Sequence, residues 1–109
     1  MQSTNEIATL WIESEVKIPL DGQRQQYDDN SDVIITFNDG TRYVATFFTL
    51  QNIQTLRENY KISGECLAGK YFWASDLILI DSIERSEILT VVKHLIASGE
   101  FQSIFRKLL

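Results

Sequence analysis

From Ala8 to Ile18, Leu10, Ile12, Val16 and Ile18 share one parity, while Glu13, Glu15 and Lys17 share the other. A pleated strand points successive side chains to opposite faces, so this period of two predicts a half-buried strand. Trp11 falls on its polar side. Pro19 removes a backbone donor and, with Asp21-Gly22, is expected to end the strand. Asp21 to Asp32 is poor in hydrophobes and reads as a polar loop leading to the next strand.

Val33–Phe37 and Thr41–Phe48 flank Asn38-Asp39-Gly40, a strong hairpin signal. Side-chain parity selects the loop length. A two-residue loop would set Val33, Ile35 and Phe37 beside Arg42, Val44 and Thr46. A three-residue loop sets them beside Tyr43, Ala45 and Phe47 and leaves Asp32, Thr36, Arg42 and Thr46 together outside. The second arrangement separates apolar from polar better and puts Gly40 where a left-handed backbone is needed.

Thr49 is placed to cap a helix from Leu50 to about Ile62, with Leu50, Ile53, Leu56 and Tyr60 as its apolar stripe and Gly64 just past its end. In the run from Lys70 to Ile80 both parities are apolar: Tyr71, Trp73, Leu77 and Leu79 on one, Phe72, Ala74, Ile78 and Ile80 on the other. This predicts a central fourth strand, covered on both faces. Ser86 can cap a helix from Glu87 to Ser98, stopped by Gly99, whose apolar face is Ile88, Val91, Val92, Leu95 and Ile96. A last helix is expected from Glu100 to about Leu108, with Phe101, Ile104, Phe105 and Leu108 inward. The order β-β-β-α-β-α-α makes the fold class α+β, a largely antiparallel four-stranded sheet with three helices packed on one face.

The chain has 109 residues, which suits one domain spanning residues 1–109 and leaves no room for two cores. Hydrophobic residues at 44% and charged residues at 23% mark a packed globular protein rather than a disordered one. Met1 to Glu6 carries no basic region and no long apolar run comes after it, so neither a signal peptide nor a membrane association is expected. Cys66 is the single cysteine, which excludes an internal disulfide and fits a reducing, cytoplasmic setting. Ten Lys and Arg stand against fifteen Asp and Glu, a net charge of −5. The cations are scattered, so the clustered footprint that neutralises a phosphate backbone is missing and nucleic acid is not an expected partner.

Several chemistries fail on spacing. Asp28, Asn30 and Asp32 occupy positions 1, 3 and 5 of a calcium loop, but its glycine position would be Val33 and its last ligand Asp39. Cys66 and His94 could form a nucleophile–base pair, yet His94 lies off the apolar face of its helix and should point to solvent. Gly64 and Gly69 precede Lys70, but Tyr71 comes next, and the order helix–loop–strand is the reverse of a phosphate loop. No catalytic residue, metal site or cofactor is expected. Asp76 interrupts an apolar run and should either pair with an arginine such as Arg42 or Arg85 or act at the sheet's open face. If helices cover one face only, Trp11, Tyr71 and Trp73, with Phe48 on the outer parity of its hairpin, supply anchors for a partner on the other. The candidate binding residues are therefore Trp11, Tyr71, Trp73 and Asp76.

The runs Asp39-Gly40-Thr41-Arg42-Tyr43-Val44-Ala45-Thr46-Phe47-Phe48, Gly64-Glu65-Cys66-Leu67 and Tyr71-Phe72-Trp73-Ala74-Ser75-Asp76 resemble a set of small bacterial proteins of unassigned function, over roughly residues 32 to 108. In size, acidity and outline the chain is also similar to immunity proteins of bacterial toxin systems. Neither resemblance carries a catalytic motif. The expectation is a non-enzymatic protein-binding module, an acidic immunity- or inhibitor-like protein that covers a basic partner. Alternatives are a small-molecule-binding protein or enzyme with a site near Asp76 and Trp73, and a homodimer joined across the uncovered sheet face.

Overall fold

The computed structural model describes residues 6–17 and 26–109. The expected strand end at Ile18 and Pro19, and the loop from Asp21 to Gln25, lie outside the described residues. In chain order the elements are β1 (Ile7–Ile12), α1 (Glu13–Val16), β2 (Asn30–Phe37), β3 (Arg42–Thr49), α2 (Leu50–Ser63), α3 (Glu65–Gly69), β4 (Leu77–Ile80), α4 (Arg85–Ser98), α5 (Phe101–Ile104) and β5 (Arg106–Leu108). They form an α+β fold with one sheet in the order β1-β2-β3-β4, β5 also pairing with β3. All pairings are antiparallel except that of β3 with β4, which is parallel.

The hairpin register matches the parity argument: Val33 faces Ala45, Ile35 faces Tyr43, and Asp32 faces Thr46. Phe37 N donates to Thr41 O and Gly40 N to Phe37 O, closing a three-residue loop with Gly40 at φ 87°. Asp39 accepts from Thr41 N at 2.9 Å and from Thr41 Oγ1 at 2.6 Å. These two donors hold its carboxyl below the ordinary value of 3.8.

The first strand is shorter than its alternation predicts. At Glu13 the chain turns into α1, because the buried Ser31 hydroxyl takes the Ser14 N–H at 2.9 Å and Lys17 reaches back to Glu13 at 2.8 Å. Val16 consequently points outward, 64% exposed.

The fourth strand is corrected more deeply. It is four residues long, begins at Leu77 and sits at a border of the sheet rather than its centre. Asp76 adopts φ 55°, a left-handed conformation that aspartate tolerates better than most residues, and this turn breaks the apolar run in two. Its first half, Tyr71–Ala74, is not strand. Tyr71–Ala74 lies outside the sheet, while within β4 Ile78 and Ile80 join the core and Leu77 and Leu79 take the opposite face, so both parities are apolar.

That short β4 explains the other correction. It pairs only with Thr46–Thr49, leaving the first half of β3 without a neighbour on that side. The C-terminal chain leaves α5 at Phe105, where ψ becomes 142°, and β5 fills the vacancy opposite Arg42–Val44. The single helix expected to Leu108 is thus a helical turn followed by a fifth strand. Phe101 and Phe105 remain in the core, where their rings stack at 4.4 Å.

The core lies between one sheet face and α4–α5. Leu10, Ile12, Val33, Ile35, Phe37, Tyr43, Ala45 and Phe47 meet Ile88, Val92, Leu95, Phe101 and Phe105. Helix α4 starts at Arg85 with Glu84 as its N-cap, earlier than a Ser86 cap would place it, and ends on Gly99 in the left-handed region. Of the three expected helices, α4 and α5 supply this layer, and no side chain of α2 belongs to that cluster. Thr49 caps α2 as its position suggests, accepting from Asn52 N at 3.1 Å. Leu50, at the head of the expected stripe, is 61% exposed, and the buried residue of α2 is Asn52.

Candidate functional site

The sheet face opposite α4 and α5 carries the other parity of each strand. Trp11 pairs with Ile34, Ile34 with Val44, and Val44 with Arg106, so these four form one row across the sheet. Arg106 Nε reaches Asp76 Oδ2 at 2.9 Å and ends that row. Two of the sequence-derived candidates, Trp11 and Asp76, therefore lie at opposite ends of a single line. On one side is the row Asp32–Thr46–Leu77, in which Thr46 Oγ1 donates to Asp32 Oδ1 at 2.8 Å. On the other side is Thr9–Thr36–Arg42–Leu108.

No helix of the described residues seals these rows. Ile34 and Val44 keep partial exposure, Trp11 is 41% exposed, and Leu79 on the same parity of β4 is 52% exposed. With strands about 4.8 Å apart and same-face residues about 6.8 Å apart, three rows over four strands span roughly 300–400 Å² in projection.

Beyond β4 the patch continues into the segment that precedes it. After α2 the chain passes Gly64 (φ 89°) and runs through Cys66, Leu67 and Ala68 with φ of 50°, 53° and 57°, a short left-handed turn. Such residues cost about 1–2 kcal/mol each for a side chain with Cβ. The turn is held by Arg57 Nε donating to Gly69 O at 2.9 Å, and Gly69 sits so close that an added Cβ would lie 2.5 Å from Arg57 O. From this turn to β4 the chain forms a strap that is pinned to the open face at both ends. Phe72 packs edge-on against Phe48 at 5.1 Å and stacks with Tyr60, while Asp76 holds Arg106 and its carbonyl accepts from Thr46 N. Phe48 is buried despite its outward parity because Phe72 covers it. Tyr71 and Trp73, 49% and 69% exposed, are carried on this strap at the border of the patch.

Asp76 is partnered by Arg106, not by Arg42 or Arg85, and it lies in a turn rather than inside a buried strand. Arg85 instead clamps Glu15 at 2.9 Å and donates to Leu10 O at 2.8 Å, closing over the free edge of β1. Arg42 is exposed and forms no ion pair among the described residues.

One end of the sheet gathers acid. Glu13 and Glu15 come after β1, Asp28, Asp29 and Asp32 open β2, and Asp81, Glu84 and Glu87 come after β4. Lys17 and Arg85 pair with Glu13 and Glu15. The carboxylates of the Asp28–Asp32 stretch are engaged within the fold: Asp28 accepts from Asn52 Nδ2 and Thr55 Oγ1, both at 3.0 Å, and Asp29 from Asn30 N at 2.8 Å. They latch the start of α2 to the sheet. No group of three or more His, Cys, Asp or Glu among the described residues could hold a metal. Cys66 lies on the left-handed turn and His94 on the exposed side of α4.

Ile34, Val44, Leu77, Leu79 and Arg42 share this face and are not among the candidates that the sequence suggested. Their signal was present, since each has the parity opposite to a core residue of its strand. No family model matches the chain, and no curated protein or solved structure matches it. The fold defines it as an α+β domain in which no helix of the described residues covers the second face of the sheet.

Proposed function

We propose that this chain is a non-enzymatic protein-binding module, an acidic inhibitor-like protein with a basic target. The observation that carries this reading is the sheet face that no helix of the described residues covers, with an apolar row from Trp11 to Val44 between polar rows and an aromatic strap at its border. Large aromatics at the rim of a partly apolar patch are the anchors that protein interfaces use. The net charge of −5, with Asp81, Glu84 and Glu87 in no ion pair among the described residues, supports a basic target, because complementary charge speeds encounter and sets specificity.

The small-molecule reading is weaker on its own residues. Asp76 is paired with Arg106, and Trp73 is 69% exposed on the strap.

The test is capture of partners on the tagged full chain at low and high salt, then calorimetry with any basic protein recovered. Binding should weaken as salt rises and fall at least tenfold in Trp73→Ala. Recovery of no partner at either salt would refute the proposal.

A further inference from the structure

We infer that the occupant of the open sheet face is a second copy of this chain, packed face to face. The inference rests on reading that face as a docking surface, and it leaves the acids after β4 (Asp81, Glu84 and Glu87) and the Tyr71–Trp73 strap for the basic target. What selects a second copy is the charge pattern along the strands. The central row, Trp11–Ile34–Val44, is apolar. One flank carries Asp32, whose N–H donates to Glu13; Lys17 pairs with Glu13, so Asp32 supplies the acid there. The opposite flank carries Arg42, exposed and without an ion pair among the described residues. A face with acid on one side of an apolar stripe and base on the other is complementary to itself.

Symmetry makes the pairing specific. Two faces meet across a two-fold axis only if that axis lies in the interface plane. An axis along the strands would set each Asp32 flank on its own copy, acid against acid. An axis along the Trp11–Ile34–Val44 row reverses the strand direction instead. It stacks Ile34 and Val44 on their own counterparts, sets Arg106, neutralised by Asp76, over its own, and brings Arg42 over Thr46 of the other copy. Thr46 holds the Asp32 carboxylate at 2.8 Å, so the guanidinium arrives beside the acid. Both flanks are satisfied by one operation, and sheets stacked this way lie about 10 Å apart, within reach of an arginine. The α2–α3 end of each copy then passes the hairpin end of the other, because the operation exchanges the two ends of the sheet.

Charge exchange tests this without touching the core. Sedimentation velocity on the full chain, from low to high micromolar, should show a concentration-dependent dimer. Arg42→Glu and Asp32→Arg should each lose the dimer where the wild type retains it, with unchanged far-UV circular dichroism. An equimolar mixture of the two variants should recover a dimer containing one of each, because both cross-pairs then join opposite charges. A wild type that stays monomeric throughout overturns the inference, as does a mixture that fails to recover the dimer. If a monomeric wild type still captures a basic target, the binding-module reading survives and only the second copy falls.

Discussion

Replacing Gly69 by alanine should destabilise this protein far more than the same change at Gly64, although both glycines flank one turn at nearly the same φ, 82° and 89°. Holding alanine in the left-handed region costs about 1–2 kcal/mol, and the stiffer unfolded chain returns about 0.4–1 kcal/mol, so Gly64→Ala should lose roughly 0.5–1 kcal/mol. Nothing lies within 4 Å of a Cβ at Gly64. At Gly69 the added carbon would stand 2.5 Å from the backbone oxygen of Arg57, an atom fixed in α2 that cannot rotate away. The turn must then move off the helix, which breaks the Arg57 Nε bond to Gly69 O. Overpacking and loss of a charged hydrogen bond together add about 2 kcal/mol, for a total near 3 kcal/mol. Urea unfolding monitored by circular dichroism gives both numbers, and Trp fluorescence reports whether the strap carrying Trp73 loosens first. Equal losses at the two positions, or a neutral Gly69→Ala, would show that close approach to α2 does not hold this turn.

Asn52→Ala should cost about 2 kcal/mol in urea unfolding, because a buried amide that donates to Asp28 and accepts from Asn30 is removed from the latch at the start of α2. Arg85→Ala should lose only about 1 kcal/mol, as its ion pair is partly exposed, but it uncovers Leu10 O on the border strand β1. Light scattering on heating should therefore rise sooner than the small stability loss predicts. The Asp39 carboxyl should titrate below 3.8 by carbon-detected NMR, since Thr41 donates to it twice. With the folded-state pKa depressed, its contribution to stability is present above 3.8 and is lost as pH falls through the lower folded value. Asp39→Ala should remove that part of the acid dependence, and an unchanged acid limb would contradict the assignment.

Local rules along the chain were sufficient for those elements whose partners lie next to them in sequence. Parity alone settled the hairpin register, since a one-residue slip would have put Arg42 and Thr46 against Val33 and Phe37. Thr49 and the glycines at 64 and 99 bounded their helices through bonds made within a few residues. The outward parity of Trp11, Ile34 and Val44 likewise came from alternation, so much of the candidate face was already written there.

Pairings between distant segments belong to the tertiary structure. Alternation through Lys17 carried no sign that Ser31 would capture Ser14 N and end β1 at Ile12. The apolar run from Tyr71 to Ile80 could not reveal that Phe72 would roof Phe48 while Ile78 and Ile80 faced the core. Spacing suited Phe101, Ile104, Phe105 and Leu108 to a helix, yet Arg106–Leu108 became strand because a short β4 left half of β3 unpaired. Unmet backbone hydrogen bonds on a sheet edge outweigh the weak helical preference of three residues. Arg106, rather than a nearer arginine, came to Asp76 through that same vacancy.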